Sequence, residues 1–236
     1  MKKLVYLLLF LNLSVGSSAQ SFIGAWEAIT MSDNGEKIRN VVLFSQSYQV
    51  LTKYKVDNGE FIMTNGGSWK LEGNTVTEVI EFDTKTPERV GTTVSFPVYI
   101  KDNTMGIVGD SVIWTRIDDG TPGKLSGAWL FSGRVKNGEI QSRDTNQPRK
   151  TMKLMSGTRF QWIAYNTETK EFKGTGGGTY STIDGEYTEN IEFFSRDNAK
   201  VGLKLKFNYE LTDGRWNHSG FSSKGDPIHE IWTGRD

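Results

Sequence analysis

The feature that most constrains this chain is an internal repeat. Gly24-Ala25-Trp26 recurs as Gly127-Ala128-Trp129. Further on, one constant offset aligns a long block without gaps. It pairs Tyr54 with Tyr165, Glu60-Phe61 with Glu171-Phe172, Gly66-Gly67 with Gly177-Gly178, Glu78 with Glu189, Ile80-Glu81-Phe82 with Ile191-Glu192-Phe193, and Phe96 with Phe207. Near the end the offset grows. Ile113-Trp114-Thr115 matches Ile231-Trp232-Thr233, and the added residues fall in the loop 222–227. A period this long means two copies of one domain rather than a solenoid of short units. The link between them, Asp118-Asp119-Gly120-Thr121-Pro122-Gly123, is polar and turn-rich. The expected division is a first domain at 20–118, a linker at 119–123 and a second domain at 124–236.

Each copy reads as about eight short strands with period-two alternation and no sustained helical period. In the second copy they fall near 127–134, 149–155, 158–165, 171–181, 186–194, 200–211, 215–221 and 228–233. Asp184-Gly185 and Asp213-Gly214 separate alternating apolar runs, a strong hairpin signal. The predicted fold class is all-β. Sequential hairpins that close on themselves make two tandem antiparallel up-and-down barrels, which leaves no exposed edge. A two-sheet sandwich is the competing architecture.

Gly-x-Trp at the start of a first strand, with an arginine after the last strand, resembles the signature of lipocalin-like (calycin) barrels. The candidate pairs are Trp26 with Arg116 and Trp129 with Arg235, with Gly234 at the place equivalent to Arg116. The resemblance implies that the tryptophan plugs one barrel end beneath the basic residue. It also implies a barrel that holds a ligand, as in paired lipocalin-like domains of secreted bacterial proteins.

The start, Met1-Lys2-Lys3 followed by an apolar run and Ser17-Ser18-Ala19, reads as a signal peptide at 1–19, cleaved after about Ala19. The expected location is periplasmic or secreted. The chain has no cysteine, which excludes disulfides and thiolate metal sites. Its 28 basic and 28 acidic residues balance, and loss of Lys2 and Lys3 leaves a slight acidic excess. Neither nucleic acid nor an anionic membrane is an expected partner, since both call for a basic face. No second apolar run is long enough to insert in a membrane.

Counting outward from the two Asp-Gly turns sets the register. Tyr180 then faces Glu189, and Tyr209 faces His218. The period of two places Tyr187, Glu189, Ile191 and Phe193 on one inward face. The other copy serves as an internal control. Tyr180, Tyr209, His218 and Glu230 correspond to Trp69, Val98, Ile107 and Val112, whereas Glu189 corresponds to another acid, Glu78. The polar interior therefore belongs to the second domain. Gly174, Gly176 and Gly178 mark either barrel curvature or a cleared pocket. Trp162 and Trp216 are candidate pocket walls, although core packing is the usual role of a single tryptophan. The expected ligand-binding set is Trp162, Tyr180, Glu189, Tyr209, Trp216, His218 and Glu230.

Three functions fit that set. The leading one is binding of a small molecule with an apolar or aromatic face and a polar head. The second is an acid–base enzyme, an isomerase or hydrolase, using Glu189 or Glu230 with His218 as catalytic residues. The third is a structural or protein-interaction module. No cofactor motif is present. His218 and His229 lack a metal-ligand spacing, so no metal is expected. The loop at 222–227 is either a lid over the barrel mouth or a plain surface loop.

Overall fold

The computed structural model describes residues 22–235; the expected signal peptide lies outside them. The first half runs through β1 (Gly24–Met31), β2 (Lys37–Phe44), β3 (Tyr48–Lys55), β4 (Phe61–Glu72), β5 (Thr75–Asp83), β6 (Thr93–Lys101), β7 (Thr104–Ile107) and β8 (Ile113–Asp118). Each strand pairs antiparallel with the next, and β8 returns to β1 to close a barrel. The second half comprises β9 (Gly127–Lys136), β10 (Glu139–Ser142), β11 (Arg149–Met155), β12 (Arg159–Asn166), β13 (Phe172–Ile183), β14 (Glu186–Phe194), β15 (Lys204–Thr212), β16 (Arg215–Phe221) and β17 (Pro227–Gly234). Pairing of β17 with β9 closes the second ring. The protein is all-β, with two closed antiparallel barrels in tandem rather than sandwiches, an arrangement that fits the lipocalin-like fold. Short 3-10 turns at Pro87–Arg89 and Asn198–Lys200 link β5 to β6 and β14 to β15.

The change of repeat offset after Trp129 has a structural cause. In the first barrel β2 pairs along all of β1, from Gly24↔Phe44 to Met31↔Lys37. In the second that single strand is split. β11 pairs with the start of β9 and β10 with its end, and residues 143–148 loop out between them.

Both Asp-Gly turns have positive φ at both residues, 51° and 80° at Asp184 and Gly185, 51° and 71° at Asp213 and Gly214. This is the type I′ geometry that matches strand twist. The counted register follows, with Tyr180↔Glu189 and Tyr209↔His218. It breaks further along β14. Gly178 pairs with Ile191 but Gly177 pairs with Phe193, so Glu192 is an extra residue. The same bulge skips Glu81 in the first barrel. One inserted residue exchanges the faces, so Phe193 leaves the inward face on which the alternation placed it. Glycine is required at the crossing: a Cβ on Gly178 would sit 2.0 Å from the Asn190 carbonyl oxygen.

Phe193 goes instead to the contact between barrels. That contact buries Val41, Leu43, Val50, Tyr54 and Phe82 against Met152, Leu154, Ile163, Tyr165 and Phe193. Most of these are repeat equivalents, so the halves meet about a local two-fold axis. Phe61 stacks on its own counterpart Phe172, centroids 6.0 Å apart. The tyrosine contacts are reciprocal too. Tyr54 donates to Glu192 at 2.6 Å, and Tyr165 to Glu81 at 2.5 Å. Buried Arg159 pairs with Glu192, and Arg235 grips Glu81 through both terminal nitrogens at 2.7 and 2.9 Å.

Arg235 also settles the plug motif. Trp26 is fully buried beneath Arg116, whose guanidinium carbon lies 3.9 Å from the ring centroid. The second pair does not follow. Arg235 stacks on Tyr48 of the first barrel at 4.0 Å and serves the contact between barrels. Gly234 holds the equivalent position, and a one-residue shift along a strand end turns the side chain to the other face. Trp129 keeps the other half of the plug: its indole donates to the Leu125 carbonyl as Trp26 does to that of Phe22, both at 2.8 Å.

Truncating Phe193 to alanine removes a large ring from the middle of this contact. The expected loss is about 3–5 kcal/mol, measured by urea denaturation of the full chain. A loss below 1 kcal/mol would show that the barrels do not depend on each other in this way.

Candidate functional site

The site is built on β11. Because this strand lies under the contact between barrels, both of its faces are buried. Met152 and Leu154 point to the first barrel, and Lys153 points into the second barrel with Thr151. The Lys153 ammonium is 2.8 Å from Glu189 Oε1, and both side chains are almost completely buried. The Tyr187 hydroxyl donates to the same oxygen at 2.7 Å. Three rings surround the ammonium, with centroids at 4.8 Å for Trp216, 5.1 Å for Tyr187 and 5.2 Å for Trp232. Aromatic faces carry partial negative charge and stabilise a desolvated cation.

A second polar pair stands beside the first. His218 on β16 and Glu230 on β17 are register partners, and His218 Nδ1 lies 3.1 Å from Glu230 Oε2. The Trp232 indole donates to that oxygen at 3.1 Å. Burial, then the nearby Lys153 charge, depress the His218 pKa below its ordinary value. Burial opposes ionisation of Glu230, but the bond from His218, the Lys153 charge and the indole outweigh it and hold the carboxyl low. At neutral pH the imidazole is therefore neutral, and facing a carboxylate places its proton on Nδ1. Nε2 is left as an acceptor, is buried, and has no hydrogen-bond partner among the described residues. A buried acceptor without a donor costs about 1–3 kcal/mol.

Lys153, Glu189, His218, Glu230 and Trp232 line one cavity of about 420 Å³. Trp162, Phe194, Leu205, Phe207 and Ile228 form its apolar walls, and Arg196, Ser222 and Ser223 also border it. The Trp162 and Phe194 rings meet edge to face at 5.4 Å. Gly176 makes room for them, since a Cβ there would lie 2.8 Å from the Trp162 indole nitrogen. The loop after β16 is tied down by Lys200, which donates to the Ser223 carbonyl at 2.9 Å. Among the described residues no three histidine, aspartate or glutamate side chains gather as metal ligands, and no helix is long and apolar enough to cross a membrane.

Of the residues singled out from sequence, Trp162, Glu189, His218 and Glu230 border this cavity. Trp216 packs against the Lys153 ammonium and is fully buried. Tyr209 is register partner of His218 but is half-buried against the core and does not reach the cavity wall. Tyr180 is spent elsewhere. Its hydroxyl donates to the Ser156 carbonyl at 2.7 Å, the bond that its counterpart Trp69 makes to Ser45 at 3.1 Å. Both side chains pin the turn after β11 or β2 at the plugged end. His229 is exposed.

Sequence reasoning placed Tyr187 on the inward face with Glu189 but missed Lys153, the centre of the site. The signal was available. Lys153 stands where the first copy has Val42, and Tyr187 where it has Val76. A lysine in phase with inward positions of a strand flanked by methionine and leucine calls for a buried anion.

Replacing Lys153 with methionine strands a buried carboxylate. The expected cost is about 3–5 kcal/mol, and the double variant Lys153→Met/Glu189→Leu should recover most of it in the same denaturation experiment. In a nitrogen-resolved NMR titration, His218 should show the Nδ1-protonated tautomer and a midpoint below the ordinary value of about 6.5. A midpoint above that value would contradict the burial account.

Residues 124–234 match the family model described as Domain of unknown function (DUF4488), which covers the second barrel. No curated protein matches the chain.

Proposed function

We propose that this protein is exported and that its second barrel binds a small molecule with a polar head and an apolar or aromatic face. The observation that carries this reading is the buried Lys153–Glu189 pair standing beside an unpartnered histidine acceptor at an open cavity. A filled structural core would have no reason to retain such a desolvated set, because replacing a buried ion pair by apolar groups is often neutral or stabilising. The polar head brings a hydroxyl or N–H donor for His218 Nε2 and an acceptor for the remaining protons of Lys153. The apolar face lies against Trp162, Phe194 and Phe207. Aromatic walls with a few convergent polar groups are the usual make-up of such sites.

One observation favours a second reading, acid–base catalysis. His218 is oriented by Glu230 at Nδ1, is neutral, and keeps Nε2 free, which is the arrangement of a general base. Glu230 is then a positioning residue. Glu189, held by Lys153 and Tyr187, is a charge partner rather than a proton carrier.

The test is mass spectrometry of small molecules retained by the purified protein, followed by incubation of the compound with wild type and with His218→Gln. For a binding protein, the compound returns unchanged and His218→Gln weakens affinity about fivefold, the worth of one neutral hydrogen bond. For an enzyme, wild type converts the compound and the variant loses about 100-fold or more in turnover. Full retained affinity in a Lys153→Met/His218→Gln double variant would reject both readings.

A further inference from the structure

We propose that the first barrel is a second, independent binding site, for a small primary amine with an aromatic or apolar body, whose ammonium group is received by Glu78. The argument rests on the comparison of the two barrels. Glu78 and Glu189 are the same position of the repeat, and both border a cavity. Glu189 is neutralised from within by Lys153. In the first barrel that lysine is Val42, the tyrosine that donates to Glu189 is Val76, and the neighbouring histidine is Ile107. Glu78 accordingly accepts no hydrogen bond from any described residue. Among the described residues the cation that acts on it is Arg89 from the turn between β5 and β6, and this guanidinium is bonded to Asp83 at 2.9 Å. Burial pushes the Glu78 carboxyl up to about 7 against the pull of Arg89, the response of an acid short of a counter-charge.

The space around Glu78 has the size and chemistry for such a guest. The cavity measures about 190 Å³, larger than the roughly 150 Å³ of an apolar cavity that takes up benzene. Val42, Leu51, Val76, Phe96, Met105 and Trp114 are among its walls. Trp114 is the counterpart of Trp232, one of the rings around the Lys153 ammonium. An ammonium group brought by a ligand would thus occupy the place that Lys153 fills in the second barrel, with a carboxylate and an indole still there to receive it. A carboxylic acid of the same shape would meet like charge, and an alcohol would leave the carboxylate unneutralised.

The experiment is calorimetric titration of the full chain at pH 8, where Glu78 is ionised, with three probes of one shape: 2-phenylethylamine, 2-phenylethanol and 3-phenylpropionate. The amine is expected to bind about fivefold more tightly than the alcohol, since ionised hydrogen bonds are about twice as strong as neutral ones, and the acid is expected not to bind. Glu78→Gln should bring the amine down to the level of the alcohol. Leu51→Trp, which puts into the first barrel the ring that Trp162 carries in the second, should abolish binding by filling the cavity. His218→Gln should leave the amine affinity unchanged, which separates this site from that of the second barrel. Equal binding of all three probes, absence of amine binding at millimolar concentration, or an affinity indifferent to both Glu78→Gln and Leu51→Trp would overturn the proposal.

Discussion

The contact between barrels is the constraint on which the rest of this structure depends. It covers the outer faces of β2 and β3 with those of β11 and β12, so β2 and β11 are buried on both sides along most of their length. In an isolated barrel the outer face would be solvated and readable as polar. Here the alternation is masked, and only the identity of the inward residues separates one face from the other. The bulges at Glu81 and Glu192 belong to the same constraint. Each turns an acid and a phenylalanine out of its barrel, where the acid meets a tyrosine of the other copy and an arginine of the second barrel. One bulge per barrel thus supplies both the apolar and the ionic part of a two-fold contact.

Within that common frame the two interiors solve the same electrostatic problem differently. An inward glutamate is expensive in a low-dielectric space. The second barrel neutralises it with Lys153 and surrounds the cation with rings. The first replaces lysine, tyrosine and histidine with valine, valine and isoleucine, and leaves the acid to an arginine already committed to Asp83. The second interior is the more polar of the two, and it is there that a neutral histidine coexists with two carboxylates. Burial, and after it the Lys153 charge, keeps the imidazole from protonating, while the bond from His218 and then the Lys153 charge hold Glu230 ionised.

The same duplication shows which side chains are architectural. Tyr180 and Trp69 differ in chemistry but make the same bond to the same turn. Trp129 and Trp26 both donate to the carbonyl four residues before them. Asp118, at the end of the first barrel, accepts from Gly157 and Thr158 of the turn between β11 and β12 at 2.9 and 3.0 Å. It therefore locks the start of the second barrel to the end of the first. Polar residues near a site are not all site residues; several hold turns at the plugged end.

From the sequence by itself came everything that depends on local or periodic information. The repeat defined two similar folds, the Asp-Gly turns set a hairpin register that held as far as the bulge in β14, and alternation with the comparison of copies drew Glu189, His218 and Glu230 to one interior. These follow because turn type and side-chain alternation are short-range properties of the backbone. What only the tertiary structure decided lies beyond a bulge or across a contact. The face of Phe193, the loyalty of Arg235 to the first barrel and the pairing of Lys153 with Glu189 each require knowing which strands meet from opposite sides of a ring. Lys153 and Glu189 lie on strands that are not neighbours in the sheet. Closure of the barrel, not pairing along it, brings an ammonium and a carboxylate within a hydrogen bond of each other.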